Sequence, residues 1–462
     1  MPDALWTADE IAKAVGGQVA GDFAVTGVSI DTRSVEPGDL FVPLVGARDG
    51  HEFVPQAVAN GAAGVLAAKA VDAPAVMVAD TFKALEALGV AARERAPQCK
   101  RGAVTGSVGK TSVTRAVEAG LRLAGKAHAS VKSYNNHIGV PLTLARMPRD
   151  TQRAVFEVGM NHADEITPLS QFVRPHAVAI TTVGPVHLEN FADGEVGVAR
   201  AKAEIFAGLE PGGIAVLNAD NQWFELLKAE AEKVDATVWS FGAAAGSTAR
   251  LTGFAVEGEG ATVSMTLRGE ALSFPIRQTG VHWGPNSLCV LLMLEALDVP
   301  RETALAALAA FAPIEGRGAE KTVRIGGGAF TLVDESYNAN PVSMQAALKT
   351  LGARKVAGRR VAVLTDMLEL GEGSARFHAE LAEPIARANV DVVFLAGVHM
   401  KSLWEALPPT RRGGYAEVTE KLTTALAGAI KPGDVVMVKG SNGSRAGVLA
   451  GALAALDLGE QG

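Results

Sequence analysis

Residues Thr105-Gly-Ser-Val-Gly-Lys-Thr-Ser112 have the types and spacing that point most directly to chemistry. Ala103 and Val104 read as the end of a buried strand. Gly106, Ser107, Val108 and Gly109 form a flexible turn. Lys110, Thr111 and Ser112 then open a segment whose apolar residues (Val113, Val117, Leu121, Ala124) recur at helical spacing up to Gly125. A glycine turn between strand and helix lets backbone N–H groups close around a phosphate. A lysine beside it neutralises the outer phosphates, and a threonine hydroxyl can ligate Mg2+. Val104 stands where the commonest phosphate loop has a further glycine. An ordinary glycine turn is the alternative. The Lys-Thr pair and its strand and helix flanks favour a nucleoside triphosphate site.

Other candidates lie at the ends of predicted strands or just beyond. Glu157, in Val155-Phe-Glu-Val-Gly-Met-Asn-His162, ends a strand where a carboxylate can hold Mg2+ directly or through water, or simply be solvated. His187 follows Ala177 to Thr182; its imidazole either ligates a metal, orients a nucleophile, or packs. Lys202, on a helical pattern, is either a solvated cation or an amine that takes up CO2, the carbamate being an oxygen ligand for a hard divalent ion. Asn135 and Asn136 either bind a substrate or form a turn. Arg317, in Glu315-Gly-Arg-Gly318, is an arginine able to reach a γ-phosphate when domains close. Asp334, at a strand end, is positioned for a ribose. Ordinary loop chemistry is the alternative for both.

These residues need a scaffold of several units. The chain has 462 residues, more than one core commonly serves. Hydrophobic residues make up 48 %, which excludes a largely disordered chain, and the net charge of −7 gives no basic footprint for nucleic acid. Two distant cysteines, Cys99 and Cys289, suit a reducing cytoplasm and exclude a disulfide framework. Residues 1–6 lack the basic-then-apolar pattern of a secretory leader, and the apolar run near Leu288 to Leu294 is too short to span a bilayer. The pattern predicts an α/β protein of three domains: a small α/β module over 1–98, a mainly parallel phosphate-loop sheet over 99–312, and a Rossmann-like doubly wound sheet over 313–462. Residues 250–276 alternate with intervening glycines, predicting an antiparallel extension of the central sheet. No Gly-x-Gly-x-x-Gly turn marks the third domain for a dinucleotide.

Taken together, the strings resemble the Mur ligase family, ATP-dependent amide ligases of peptidoglycan precursor synthesis. The resemblance spans essentially the whole chain and rests on Thr105 to Thr111, Glu157 to His162, His187, Ala201-Lys202, Leu217-Asn-Ala-Asp220 and Glu315 to Gly318. Tyr134-Asn-Asn-His-Ile-Gly-Val-Pro-Leu-Thr143, Tyr337-Asn-Ala-Asn-Pro341 and Leu364-Thr-Asp-Met-Leu-Glu-Leu-Gly371 are most similar to the branch that adds D-alanyl-D-alanine to a UDP-N-acetylmuramoyl tripeptide. The resemblance implies that Lys110 and the loop bind ATP, that Thr111 and Glu157 hold one Mg2+, and that His187 with a carbamylated Lys202 serves a second. It implies Lys110, Lys202, His187 and Arg317 as the catalytic set, with Arg317 and Asp334 reaching the nucleotide across the cleft. His282 and Asn286 would lie near the adenine, although His282-Trp-Gly-Pro-Asn286 lacks the family's first asparagine. Ser29, Thr32, Arg33, Ser34, Arg48, Gly50, His51, Asn135 and Asn136 would hold the UDP substrate, and Tyr337, Asn338 and Asn340 the amine. Lys439-Gly-Ser441 resembles a C-terminal family string, with Asn442-Gly-Ser444 where a basic residue is common. A cytoplasmic monomer without nucleic-acid partner is implied. A sister ligase using a single amino acid, a folate-glutamate ligase, and a nucleotide-gated binding protein are the rival readings.

Overall fold

The computed structural model describes residues 4–131, 133–258 and 260–459. Three larger sheets organise the chain. Near the N-terminus, strands Gln18–Ala20, Ala75–Met77, Gly64–Ala67, Asp39–Phe41 and Gly27–Ser29 lie side by side in that order, Gln18–Ala20 antiparallel to the rest. A capping box opens the first helix, Ala8–Val15: Thr7 Oγ1 accepts from Glu10 N and the Glu10 carboxylate accepts from Thr7 N.

The central sheet has nine strands. Ala127–Ala129, Arg153–Glu157, Lys100–Thr105, Ala177–Ile180, Ile214–Asn218, Thr237–Gly242 and Ala249–Glu257 run parallel. Gly260–Leu267 and Glu270–Ile276 complete it as the antiparallel extension that the glycine-punctuated alternation predicts. Both faces are covered, so the inner strands are continuously apolar. One face packs Val113, Val117 and Leu121 of helix Lys110–Ala124 against Leu288, Leu291 and Leu294 of helix Trp283–Ala296. That second helix is buried around almost its whole circumference, which is why its sequence shows no polar stripe. The two helices approach closely at Gly120, where a Cβ would stand 2.5 Å from Leu294 Cδ1. The other face buries Val140, Phe156, Ile180 and Val198.

The C-terminal sheet has the order Ala319–Ile325, Gly328–Glu335, Val435–Lys439, Arg360–Thr365, Val392–Ala396, Arg412–Ala416. It is parallel except for Ala319–Ile325 at one edge, and that strand and Arg412–Ala416 at the other are additions to the alternation read from sequence. Ala319–Ile325 carries exposed Glu320, Lys321 and Arg324, and Arg412–Ala416 carries two glycines, so neither has a strand's apolar signature. Among the described residues no helix is long and apolar enough to cross a membrane.

Candidate active site

The carboxyl ends of the central strands face the corresponding ends of the C-terminal sheet across a cavity of about 400 Å3. The phosphate loop forms its floor. Gly106 (φ +149°) sits so close to the next strand that a Cβ would fall 1.9 Å from Thr181 Oγ1, and Gly109 (φ +87°) precedes helix Lys110–Ala124. Thr181 Oγ1 donates to Val108 O (2.5 Å), Ser107 N donates to Thr182 O (2.8 Å), and Ser107 Oγ exchanges hydrogen bonds with Gly184. The loop is thereby pinned with the unpaired N–H groups of a helix start at the cavity floor, a ready site for anionic oxygens. Lys110 Nζ donates to Gly106 O (2.6 Å). Burial and the nearby Arg317 guanidinium lower its pKa, while the Glu157 carboxylate works the other way.

Arg317 comes from the connection into the C-terminal sheet. Its Nη2 donates to Thr111 Oγ1 (3.1 Å), and its guanidinium lies 4.0 Å from the centre of the Tyr337 ring. Tyr337 OH in turn lies 2.9 Å from Ser133 Oγ of the central unit. His282, Asn286, Asn338 and Asn340 line the same cavity. Asn340 also caps helix Pro341–Ala353, accepting from Ser343 N (2.9 Å). Burial lowers the His282 pKa.

Asp334, expected at the ribose, is turned away from this cavity. Its Oδ1 accepts from Ser336 N (3.0 Å), and the residue borders a separate hollow beside Glu315 and Ser336. Side chains of a strand alternate between faces, so the next residue, Glu335, enters the cavity instead. Its Oε2 lies 3.2 Å from Lys439 Nζ, which also donates to Asn338 O (3.0 Å). Burial opposes the Glu335 charge, but the Lys439 ammonium outweighs it and lowers the pKa. The adjacent acids in Asp334-Glu335 were a visible signal, but the sequence alone did not indicate which faces inward.

Of the donors named for divalent ions, Thr111 and Glu157 line the cavity and His187 a neighbouring hollow, whereas Lys202 lines neither. Glu157 is buried, its Oε1 accepts from Asn135 Nδ2 (2.7 Å), and its Oε2 has no hydrogen-bond partner among the described residues. His187, at φ +54°, is held near a pKa of about 4 by burial and by Lys110 and Lys202, leaving a neutral imidazole. Glu369 Oε2 lies 2.8 Å from its Nδ1 but out of line for a hydrogen bond. Lys202 is 2 % exposed, and among the described residues its Nζ meets Met160 Sδ (3.8 Å). Burial, reinforced by Lys110, lowers its pKa far below that of a solvated lysine. An orphaned carboxylate oxygen, a hydroxyl and a neutral imidazole suit Mg2+ completed by phosphate oxygens and water. Among the described residues no three His, Cys, Asp or Glu side chains form a closed metal cage.

Three family models match consecutive stretches: Mur ligase family, catalytic domain over 24–104; Mur ligase middle domain over 104–294; and Mur ligase, glutamate ligase domain over 321–442. The chain is 31 % identical over 444 residues to the UDP-N-acetylmuramoyl-tripeptide--D-alanyl-D-alanine ligase of Rickettsia prowazekii, covering 95 % of this chain and 97 % of that protein. The Escherichia coli protein of the same name is 34 % identical over 401 residues, 85 % and 86 % of the two chains. The chain belongs to the Mur ligase family. A crystal structure of MurF from Acinetobacter baumannii superposes with a TM-score of 0.86 at 28 % identity, covering 97 % of this chain and 99 % of that one.

The Mur ligase positions expected at the uridine end are partly committed to the fold. His51 Nε2 accepts from Ala68 N (3.0 Å) and its Nδ1 lies 2.6 Å from Asp49 Oδ1, so both ring nitrogens are engaged. Gly50 packs where a Cβ would stand 2.6 Å from Leu44 O. Asn136 Oδ1 accepts from Ile138 N and Gly139 N, the turn alternative for that residue, whereas Asn135 turns to Glu157. Ser29 Oγ lies 3.4 Å from Ser34 Oγ, and Thr32 Oγ1 donates to Gln56. Arg33 pairs with Asp31 and Arg48 with Glu52, both arginines on the surface. A cavity of about 430 Å3 lies between Leu44, Ala68, Phe82 and the segment His137-Ile138; none of these expected residues lines it directly.

Proposed function

We infer that this protein is an ATP-dependent ligase that joins D-alanyl-D-alanine to the terminal carboxylate of a UDP-N-acetylmuramoyl tripeptide, a cytoplasmic step of peptidoglycan precursor synthesis. The observation that carries the reading is a pinned phosphate loop facing Arg317 and Lys439 across one cavity, in a chain alignable over nearly its whole length with ligases of that name. In this reading residues 1–98 hold the uridine end, 99–312 the ATP, and 313–462 close over ATP and bind the amine.

The tripeptide carboxylate attacks the γ-phosphorus; a new P–O bond forms, the bond to the bridging oxygen breaks, and ADP leaves. Two anions must meet for this, so Lys110, Arg317 and the loop N–H groups offset their repulsion. When bound, Mg2+ supplies further positive charge at the phosphate oxygens; Thr111 and Glu157 would hold one ion, and His187 with a carbamate on Lys202 a second. The acyl phosphate is then attacked by the dipeptide amine. The C–N bond forms through a tetrahedral intermediate, phosphate leaves with the electron pair of the breaking C–O bond, and the amine's surplus protons are released. The contacts of Arg317 with Thr111 and of Tyr337 with Ser133 support closure over the acyl phosphate, keeping water from it.

The test is mass spectrometry of the product from ATP, a UDP-muramoyl tripeptide and a panel of amines. The expected product is the pentapeptide with one ADP released per bond. Turnover with a single amino acid in preference to the dipeptide would overturn the acceptor, and ATP hydrolysis requiring neither acid nor amine would overturn the reaction.

A further inference from the structure

A hollow of about 180 Å3 opens beside the nucleotide cavity and shares Ser107 and Lys110 with it. The central unit supplies Lys110 and His187 to its wall, and the C-terminal unit supplies Asn338, Asn340, Glu369 and Ser441. Among the described residues of that wall Glu369 is the one acid. Its backbone is at φ +62°, a left-handed conformation that side chains other than glycine rarely adopt. The following turn is tight: Gly371 is also left-handed, and a Cβ there would stand 3.2 Å from Glu189 Cβ of the central unit. The turn projects the Glu369 carboxylate across the cleft, to 2.8 Å from His187 Nδ1. The Glu369 side chain is 56 % exposed, so its carboxylate stays open to the hollow.

In the ligase reading, an acyl phosphate forms at Lys110 and must be met by an amine that arrives as an ammonium. Among the described residues, the cation that the central unit contributes to this hollow is Lys110, which would repel an ammonium. The C-terminal unit offers one carboxylate at that spot. We propose that Glu369 receives the ammonium of the incoming dipeptide, orienting it toward the acyl carbon, and so sets the preference for an amine acceptor. This rests on the acceptor assignment above and extends it to a residue.

The experiment compares D-alanyl-D-alanine with D-lactyl-D-alanine, which has a neutral hydroxyl in place of the ammonium, in the wild-type full chain and in Glu369→Gln. The wild-type protein is expected to bind the dipeptide at least ten-fold more tightly than the hydroxyl analogue, read as KM against inhibition constant. In Glu369→Gln the KM for the dipeptide rises about ten-fold and the ratio collapses toward one, with KM for ATP and for the UDP substrate little changed; Glu369→Asp keeps part of the discrimination. A variant that retains the wild-type ratio overturns the role of Glu369 alone. A variant in which all three KM values rise together makes Glu369 structural and overturns it equally. Wild-type protein that forms no product with the dipeptide overturns the acceptor assignment and the inference with it.

Discussion

Lys202 has two properties that rarely coincide: it is almost fully buried, and no carboxylate among the described residues pairs with it. A buried ammonium without a partner costs several kcal/mol, so burial pushes the group toward its uncharged amine. That amine is a competent nucleophile for CO2, and the resulting anion would offset the neighbouring Lys110. Lys202→Ala is expected to lower ligation by roughly 10^3-fold, the scale of losing a positioned charge at a transition state. Short-chain carboxylates such as acetate should restore part of it by occupying the space; full activity in the unsupplemented variant would end the carbamate reading. Glu157 has a complementary fault, an oxygen with no donor. Glu157→Gln should raise the Mg2+ concentration for half-maximal rate about ten-fold, measured by Mg2+ titration at saturating ATP.

At the scale of elements, the phosphate loop depends on how near it lies to the next strand. Gly106→Ala should abolish ATP binding in calorimetry, because the added methyl collides with Thr181 Oγ1. Gly109→Ala has room, its Cβ standing 3.5 Å from Asn286 Oδ1, and is burdened only by its φ of +87°. It should retain binding weakened about ten-fold, on the order of 1 kcal/mol of left-handed strain. The loop was legible in the sequence because every residue that makes it lies within one strand–turn–helix unit. The pairing of Glu335 with Lys439 was not, since 104 positions separate them and only the parallel register of Gly328–Glu335 with Val435–Lys439 joins them. Asp334 was read as facing the cleft for a related reason: adjacent strand residues face opposite ways, and sequence does not say which faces in. Elements also carry a pH signature. Burial pushes His128, beside the edge of the central sheet, and His176, before strand Ala177–Ile180, down to about 4. Between pH 6.5 and 4 the unfolded chain binds protons that the native state refuses, so stability falls as the pH falls through that window, by up to about 3 kcal/mol for buried His128 and by less for half-buried His176. Melting temperature measured from pH 7 to 4 should drop, and His176→Gln should make the drop shallower.

For the whole molecule, the central and C-terminal units must be able to part for substrates and yet meet with the γ-phosphate between them. Besides the approach of Glu369 to His187, two groups of contacts join them. Arg317 to Thr111 and Tyr337 to Ser133 lie in the lining of the nucleotide cavity. Arg354, Glu320 and Thr279 lie away from the chemistry: Arg354 pairs with both Glu320 oxygens, and Thr279 Oγ1 donates to Glu320 (2.5 Å) while accepting from Arg354 Nη2 (2.8 Å). Close by, Val281 N donates to Thr350 Oγ1 (3.3 Å), next to His282. This second group braces the units beside the part of the cavity that His282 lines. Arg354→Met removes the hydrogen bond to Thr279 across the interface and leaves Glu320, its partner within the C-terminal unit, without its cation, a cost of about 1–3 kcal/mol. The expected outcome is a several-fold higher KM for ATP and a larger radius of gyration by small-angle scattering in the absence of nucleotide, with a lower melting temperature of the C-terminal unit. Adding Glu320→Leu should recover much of the ATP affinity, because the uncompensated charge and not the lost contact dominates the cost. A double variant as impaired as the sum of its parts would mean that the three side chains act independently.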